Sequence, residues 1–242
     1  MDYLFLFCLF VTAFLYASVG HGGASGYLAL MAIFGFEQYV MKSSALTLNL
    51  VVSGISFYSF FRKGFFKFSL LLPFIIGSVP MAFFGAKINI NPHTYKIILG
   101  VFLIIAVSRM FFIPKKKYEQ SETPLFFVAV LIGAVIGFFS GMIGIGGGII
   151  LSPLLLLLHW SNVKETAGIS ALFIFLNSTA GLIGLSFNHA YEPTSDIYVW
   201  VIIGIFGGLL GGYFSSIKLS NNRLRYLLSF ILFAAGIKLI IF

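Results

Sequence analysis

Long apolar runs separated by short polar or glycine-rich breaks dominate this chain. Dividing the sequence at those breaks leaves ten apolar segments, at about 2–19, 24–36, 43–61, 66–86, 93–113, 124–140, 148–160, 166–187, 197–216 and 223–242. Most approach the roughly 20 residues that an apolar helix needs to cross the hydrocarbon layer of a bilayer. The alternation of apolar and polar residues that marks membrane barrel strands is missing. The pattern therefore predicts an all-α polytopic membrane protein.

The most polar stretch of the chain is its midpoint, residues 114–123. We predict that it is a cytoplasmic linker between a first transmembrane repeat, 1–113, and a second, 124–242. Each repeat then contains about five hydrophobic segments.

The two halves resemble each other around their glycine clusters. Residues 18–24 align with 142–148 at a shift of 124 residues, and 43–47 fall on 166–170 at nearly the same shift. An internal duplication explains both matches. Because five segments per repeat is an odd number, we predict that the two halves have inverted topology.

Basic loops indicate the orientation in the bilayer. Cytoplasmic loops carry an excess of Lys and Arg. The residues that we place there are Arg62, Lys63, Lys67, Lys115, Lys116, Lys117, Lys218, Arg223 and Arg225. Loop 188–196 has acidic residues and no Lys or Arg, so it is predicted outside together with both termini. Lys87 and Lys96 flank another outside loop and oppose this scheme. Glu37, Lys42, Lys164 and Glu165 lie at segment ends, where we expect them to be solvated or paired.

Composition supports the same class of protein. Of the 242 residues, 60% are hydrophobic and 9% are charged, against roughly 25% charged in a soluble domain. The net charge of +8 is explained by the orienting loops, because no basic face with interleaved aromatic residues indicates nucleic-acid binding. The single cysteine, Cys8, cannot form an internal disulfide.

Two short segments, 24–36 and 148–160, each follow a glycine cluster. Helices interrupted near the membrane midplane are a feature of transporters built from inverted repeats. Such a break leaves unpaired N–H groups and the positive end of a helix dipole, which favour an anion. Glycines also permit close helix packing, which is our interpretation of Gly133, Gly137 and Gly141 and of Gly204, Gly208 and Gly212. The two clusters do not follow that four-residue spacing, so a broken helix is the favoured reading.

Hydroxyl and amide side chains follow both clusters, in the third and eighth segments. They can bind anion oxygens without the cost of a buried charge, although many such residues only bond their own helix backbone. His21 lies within the first cluster and could donate to an anion, carry a coupling proton or simply pack. The candidate substrate-binding residues are Gly20, His21, Gly22, Gly23, Ser44, Thr47, Gly144, Gly146, Gly147, Gly148, Ser170 and Asn177.

Signals of enzymatic chemistry are absent from the sequence. The seven Asp and Glu residues lie mostly in loops, and the four His residues have no metal-ligand spacing. The glycine clusters lack the Lys-Ser/Thr ending of a P-loop and the setting of a dinucleotide fingerprint. We therefore expect no enzyme activity, no catalytic residue, no metal and no cofactor.

At these motifs the sequence resembles the TauE/SafE family, also called the TSUP or sulfite exporter family. The resemblance rests on Gly20-His21-Gly22-Gly23, on the stretch 141–148 followed by Pro153, and on residues 167–170 and 177–181. It also draws on residues 80–87 and 95–100, and it covers essentially the whole chain. The resemblance implies a multi-pass protein of the bacterial plasma membrane that transports sulfite, thiosulfate, sulfoacetate or a related organosulfonate, driven by an ion gradient.

We therefore predict a secondary transporter that moves a small sulfur-containing anion by alternating access. Two alternatives stay open: a passive anion channel, and a non-transporting membrane assembly or sensor subunit. The expected partners are the anion and the lipid bilayer, without nucleic acid. A homo-oligomer is compatible with the sequence.

Overall fold

The structure is a computed structural model, and the part of the chain that it describes contains nine helices whose bounds are given below. That part comprises residues 2–112 and 124–214, together with Phe233, Ile237 and Ile240, and it contains no strand. The helices are α1 Tyr3–Ser18, α2 Ala24–Ile33, α3 Gln38–Arg62, α4 Phe68–Ala86, α5 Pro92–Phe112, α6 Phe126–Ile143, α7 Gly148–Leu157, α8 Val163–Phe187 and α9 Ile197–Phe214. The all-α prediction is confirmed. The predicted linker and nearly all of the tenth segment lie outside the described residues, as do Lys115, Lys116, Lys117, Lys218, Arg223 and Arg225.

Helix lengths separate membrane-spanning from half-spanning elements. Helices α3, α4, α6, α8 and α9 are each 18 to 25 residues long and apolar enough to cross a membrane. In contrast, α2 and α7 contain 10 residues each. At 1.5 Å per residue they extend about 15 Å, roughly half of the ~30 Å hydrocarbon layer. The two segments that follow the glycine clusters therefore reach only part of the way across.

Two helices begin earlier than the apolar pattern indicates. α3 begins at Gln38 instead of residue 43, and α8 begins at Val163 instead of residue 166. Asn162 caps α8 by accepting from the N–H groups of Lys164 and Glu165, and the Glu165 side chain completes a capping box. Polar residues in a first helical turn interrupt hydropathy without interrupting the helix, which explains the difference.

Close backbone packing joins α4 to α6. A Cβ atom added at Gly133, Gly137 or Gly141 of α6 would meet the backbone oxygen of Phe74, Ser78 or Ala82 of α4. These glycines bring the two helices nearer than any larger residue allows, as the four-residue spacing indicates.

The same arrangement recurs between α9 and its neighbours. Gly207 and Gly211 lie against the backbone of α1, whereas Gly204, Gly208 and Gly212 face side chains of α3. Under the sequence shift, α6 corresponds to α1 and α9 to α4, so the α1–α9 contact is the counterpart of the α4–α6 contact. In the same way, α3–α9 is matched by α4–α8, and α2–α3 is matched by α7–α8.

The chain reverses direction between each short helix and the helix that precedes it. Phe5, near the start of α1, packs edge to face against Phe34 at the end of α2, with ring centroids 5.2 Å apart. We call this side of the molecule end A; Asn188 also lies there, donating to the Lys87 carbonyl. At the opposite side, end B, Trp160 after α7 packs near Phe74 of α4, at 6.0 Å. Helices α1 and α2 therefore form a hairpin that returns to end A, and α7 ends at end B.

Candidate functional site

The two glycine breaks meet where α3 crosses α8. A Cβ atom added at Gly22 or at Gly146 would contact both Asn49 of α3 and Ile174 of α8. Glycine at both positions is therefore required by the close approach of the breaks to the crossing. One predicted glycine from each cluster therefore lies at this crossing.

Asn49 joins the two breaks directly. Its Oδ1 accepts from the backbone N–H of Ala24, the first residue of α2, at 2.9 Å. Its Nδ2 donates to the carbonyl oxygen of Ile145 in the second break at 3.0 Å. The Oγ of Ser178 on α8 lies 3.4 Å from the same nitrogen. Asn49 has no exposed surface, so this one buried amide fixes the start of α2 against the second break.

Both half-spanning helices begin at this crossing. The residues preceding them, Gly23 and Gly147, have left-handed backbones with φ of 99° and 79°, and neither supplies a side-chain cap. The first N–H groups of a helix have no acceptor within the helix, and the dipole is positive at that end. The two N-termini therefore provide a pair of anion-attracting ends without any charged side chain.

A second polar cluster lies beside the start of α7. The Oγ of Ser152 is 2.9 Å from Nε2 of His21 and 2.7 Å from Oγ of Ser170, and it is 2.8 Å from the carbonyl oxygen of Gly148. Nδ1 of His21 is 3.1 Å from the carbonyl oxygen of Val19. Ser152 and Ser170 are buried. Two predicted residues, His21 and Ser170, are thus connected through Ser152.

Buried polar atoms without a partner among the described residues lie near both helix starts. The hydroxyl of Tyr27 is one, and it lies 2.8 Å from the position that a Cβ of Gly23 would take. Ser140 Oγ is another, on a side chain that contacts Gly147. Such atoms are costly to bury, so they indicate a place where a ligand or water completes the bonding.

Asn177 contributes a further atom of this kind. Its Nδ2 donates to the Phe173 carbonyl at 2.8 Å, whereas its Oδ1 has no partner among the described residues. It lies on α8, which also carries Ser170.

Ser44 and Thr47 lie elsewhere, against loop 188–196 at end A. Ser44 Oγ accepts from the Thr194 N–H at 3.3 Å, and Thr47 Oγ1 is 3.2 Å from the Tyr191 hydroxyl. Thr47 also donates to the carbonyl of Ser43. The structure thus separates these two predicted residues from the cluster of His21 and Ser170. The remaining glycines, Gly20 and Gly144, pack against Ala167 and Lys42 respectively.

Asn49 and Ser152 are the residues that sequence reasoning missed. Asn49 is one of several polar residues in the third segment, and nothing in the sequence distinguishes it from its neighbours. Ser152 is the single hydroxyl in the apolar run that follows the second cluster, and it comes four residues after Gly148. Residues four apart lie on the same face of a helix, so this spacing is the sequence signal that could have indicated Ser152.

Charged side chains lie away from the crossing, with one unexpected burial. Glu165 pairs with Lys67 at 2.9 Å, as expected for a segment end. The expectation for Lys42 was wrong: it is 4% exposed, and its Nζ donates to the Ala86 carbonyl at the end of α4 at 3.0 Å. A cation is stabilised at a helix C-terminus, which explains the burial. Within the described residues, no three His, Cys, Asp or Glu side chains are grouped to hold a metal.

Half-spanning helices that start at a shared polar crossing are typical of membrane transport proteins. A match to the family described as Sulfite exporter TauE/SafE spans residues 4–239. The chain belongs to this family and is a multi-pass transporter of the cell membrane.

Curated relatives agree with this assignment. The chain is 36% identical over 235 residues to the probable membrane transporter protein y4hK of Sinorhizobium fredii (strain NBRC 101917 / NGR234), covering 96% of this chain and 95% of that protein. It is 26% identical to the probable membrane transporter protein YjnA of Bacillus subtilis (strain 168), covering 98% of each. No solved structure matches the chain.

Proposed function

We propose that this protein is a secondary transporter for a small sulfur-containing anion such as sulfite, thiosulfate or sulfoacetate, coupled to an ion gradient. The observation that carries the proposal is the meeting of two half-spanning helix N-termini at Asn49. The description of the family as sulfite exporters supports a sulfur anion.

The chemistry of the crossing suits an anion that is bound and released. Donors there are backbone N–H groups and side chains without a permanent charge, and Lys42, the charged side chain buried in the described part of the chain, bonds to the end of α4. Neutral donors and helix dipoles each contribute modestly, about 0.3–1 kcal/mol per helix end and up to ~2 kcal/mol when partly buried. A tightly bound ion would leave slowly, so several weak contacts favour turnover.

Alternating access is supported by the matched contacts of the two halves. Helices α3 and α8 run antiparallel, because Leu46 meets Gly181 whereas Gly54 meets Phe175. Each glycine break packs against the equivalent turn of the other half, Gly20 on Ala167 and Gly144 on Lys42. Two repeats in inverted orientation would exchange these environments when one rocks against the other, opening the anion site first to one side and then to the other.

Flux into proteoliposomes tests the proposal. We expect purified protein to take up sulfite, thiosulfate or sulfoacetate saturably, in preference to acetate, and to respond to an imposed ion gradient. Large ohmic currents without coupling would instead establish a passive channel. No flux under any gradient would contradict transport and favour a non-transporting assembly.

A further inference from the structure

The hydroxyl of Ser152 has three polar neighbours but only one hydrogen. A serine hydroxyl donates one bond and accepts two. The Gly148 carbonyl at 2.8 Å can only accept, so the Ser152 hydrogen points to it when all three bonds form. His21 Nε2 and Ser170 Oγ must then donate to Ser152.

The other ring nitrogen of His21 meets a second obligatory acceptor. Nδ1 lies 3.1 Å from the Val19 carbonyl oxygen, so it also donates. Both imidazole nitrogens carry hydrogen only in the protonated ring. These four hydrogen bonds at Ser152 and His21 therefore form together only when the ring is an imidazolium.

Loss of that proton rearranges the cluster without moving a heavy atom. A neutral ring that keeps its Nδ1–H on Val19 presents Nε2 as an acceptor. The Ser152 hydroxyl then turns from the Gly148 carbonyl to His21, and Ser170 still donates to Ser152. His21 is only partly buried, so water reaches the ring when the site opens to one side of the membrane.

The position of His21 makes its proton sensitive to an anion. Through Ser152, the ring lies beside Gly148, the first residue of α7. A positive ring at the positive end of a helix dipole is disfavoured, and an anion at the same end reverses that effect. Anion binding and proton binding then favour each other by equal factors, as linkage requires.

Most other titratable groups on the surrounding helices have contacts of their own, and the exception is the buried Tyr27 hydroxyl, which has no partner among the described residues. On α1, the Tyr16 hydroxyl is 2.9 Å from Ser25 Oγ, and Tyr27 of α2 is fully buried. On α8, Glu165 pairs with Lys67 of α4, and Lys164 lies over the Phe65 ring. Lys42 of α3 is bonded to the end of α4, and α7 is followed by His159 at end B.

We propose that His21 binds the coupling proton of this transporter, with Ser152 linking its protonation to the anion at the start of α7. The proposal rests on the anion-transport function above and names its coupling ion. One proton binds Nε2 from the compartment to which the site is open as the anion enters, and the same proton leaves with the anion on the other side. No other bond is made or broken.

The test uses proteoliposomes with the membrane potential clamped at zero and a pH dye inside. The probes are thiosulfate and sulfoacetate, and the variants are His21→Gln and Ser152→Ala. Glutamine keeps one donor and one acceptor but binds no proton. His93→Gln is the control, because His93 is an exposed residue at the start of α5.

For wild type, one proton per anion predicts up to about tenfold accumulation per unit of pH difference, with proton entry detected by the dye. We expect His21→Gln to reduce this stimulation below about twofold, measured against the uptake of the same variant without a gradient, Ser152→Ala to reduce it in part, and His93→Gln to match wild type.

Three results overturn the inference. If wild-type uptake is saturable but insensitive to the pH gradient, the proton-coupling proposal is wrong, whereas the proposal of anion transport is unaffected. A His21→Gln protein that keeps the full gradient response shows that the proton binds elsewhere. If the His21→Gln protein loses both anion exchange and gradient-driven uptake, His21 is an anion-binding or structural residue and not the proton carrier. Absence of any wild-type uptake contradicts the proposed function itself.

Discussion

The first and second glycine breaks share a backbone design but differ in chemistry. Each ends in a left-handed glycine, starts a helix of 10 residues and touches the α3–α8 crossing. The equivalent side chains differ, since His21 corresponds to Ile145 and Ser152 to Leu28 at the shift of 124 residues. Asn49 corresponds in the structure to Ile174, because α3 and α8 begin at Gln38 and Val163, 125 residues apart. The first half contributes the titratable ring and the bridging amide, and the second half contributes hydroxyls. The comparison teaches that a repeated scaffold can hold a single site whose polar atoms come unequally from both halves.

Gly147→Leu is the change with the largest expected effect. A side chain there would enter the space of Phe173 and Ile136 and displace the start of α7. We expect uptake to fall below about 1% of wild type, with membrane insertion intact, because a misplaced binding geometry costs at least 10²-fold. Gly22→Leu should do the same by displacing Asn49.

Gly35→Leu is the matched control for the Gly147 variant. Gly35 has nearly the same backbone, φ of 78° against 79°, but no atom of the described residues lies within 4 Å of a Cβ added there. Both variants carry the strain of a left-handed residue, about 1–2 kcal/mol, so a difference between them measures the contact alone. Equal loss of uptake in the two proteins would contradict a special role of the second break.

Asn49→Leu should have the next largest effect. It leaves the Ala24 N–H and the Ile145 carbonyl without their side-chain partner, at about 1–3 kcal/mol for each buried group. We expect a lower midpoint of thermal unfolding and at least about tenfold slower uptake. Both are measured on protein reconstituted at equal density.

Moving the amide to the other half sharpens the comparison. In the exchange variant Asn49→Ile with Ile174→Asn, the equivalent bonds would join the Gly148 N–H and the His21 carbonyl. We expect the free energy of unfolding of the double variant to exceed the value that adding the two single changes would give, by a coupling energy of about 0.5–3 kcal/mol. Strict additivity of the two single changes would contradict the equivalence of the crossing positions.

Ser170→Ala should have an intermediate effect. It removes a single hydrogen bond to Ser152, worth about 0.5–1.5 kcal/mol, or roughly two- to tenfold in the concentration of anion for half-maximal uptake. Ser186→Ala is the control, because that hydroxyl is exposed and, within the described part of the chain, bonds only the Leu182 carbonyl. An unchanged half-maximal concentration in Ser170→Ala would remove Ser170 from the anion site.

Thr47→Val should have the smallest effect on transport. Its hydroxyl lies against Tyr191 at end A, so we expect uptake within about twofold of wild type and a loss of stability of about 1 kcal/mol. If Thr47→Val impairs uptake more than Ser170→Ala does, the hydroxyl groups of the anion site come from the first half and not from the second.

Much of the fold could be predicted because bilayer thickness and hydropathy jointly constrain helix length. The two half-spanning helices followed from glycines that weaken a helix. The close α4–α6 contact followed from the four-residue spacing of Gly133, Gly137 and Gly141.

The site was predicted only as far as local pattern extends. The glycine clusters and Ser170, which the sequence proposed, lie at the candidate site in the structure, but the presence of Asn49 there and the absence of Thr47 depend on which face of α3 meets the breaks. That face is set by the α3–α8 crossing, a long-range contact. Lys42 was misjudged for the same reason, since its partner Ala86 belongs to another helix.

The number of anions bound per chain tests the shared site most directly. Isothermal titration of thiosulfate, with sulfoacetate as a second probe, would be carried out on the wild-type protein in lipid nanodiscs and on Gly22→Leu and Gly147→Leu. We expect one anion per wild-type chain and loss of that binding in each variant, because both helix starts contribute to one site. Two anions per chain, or binding that survives in either variant, would show that the breaks hold separate sites.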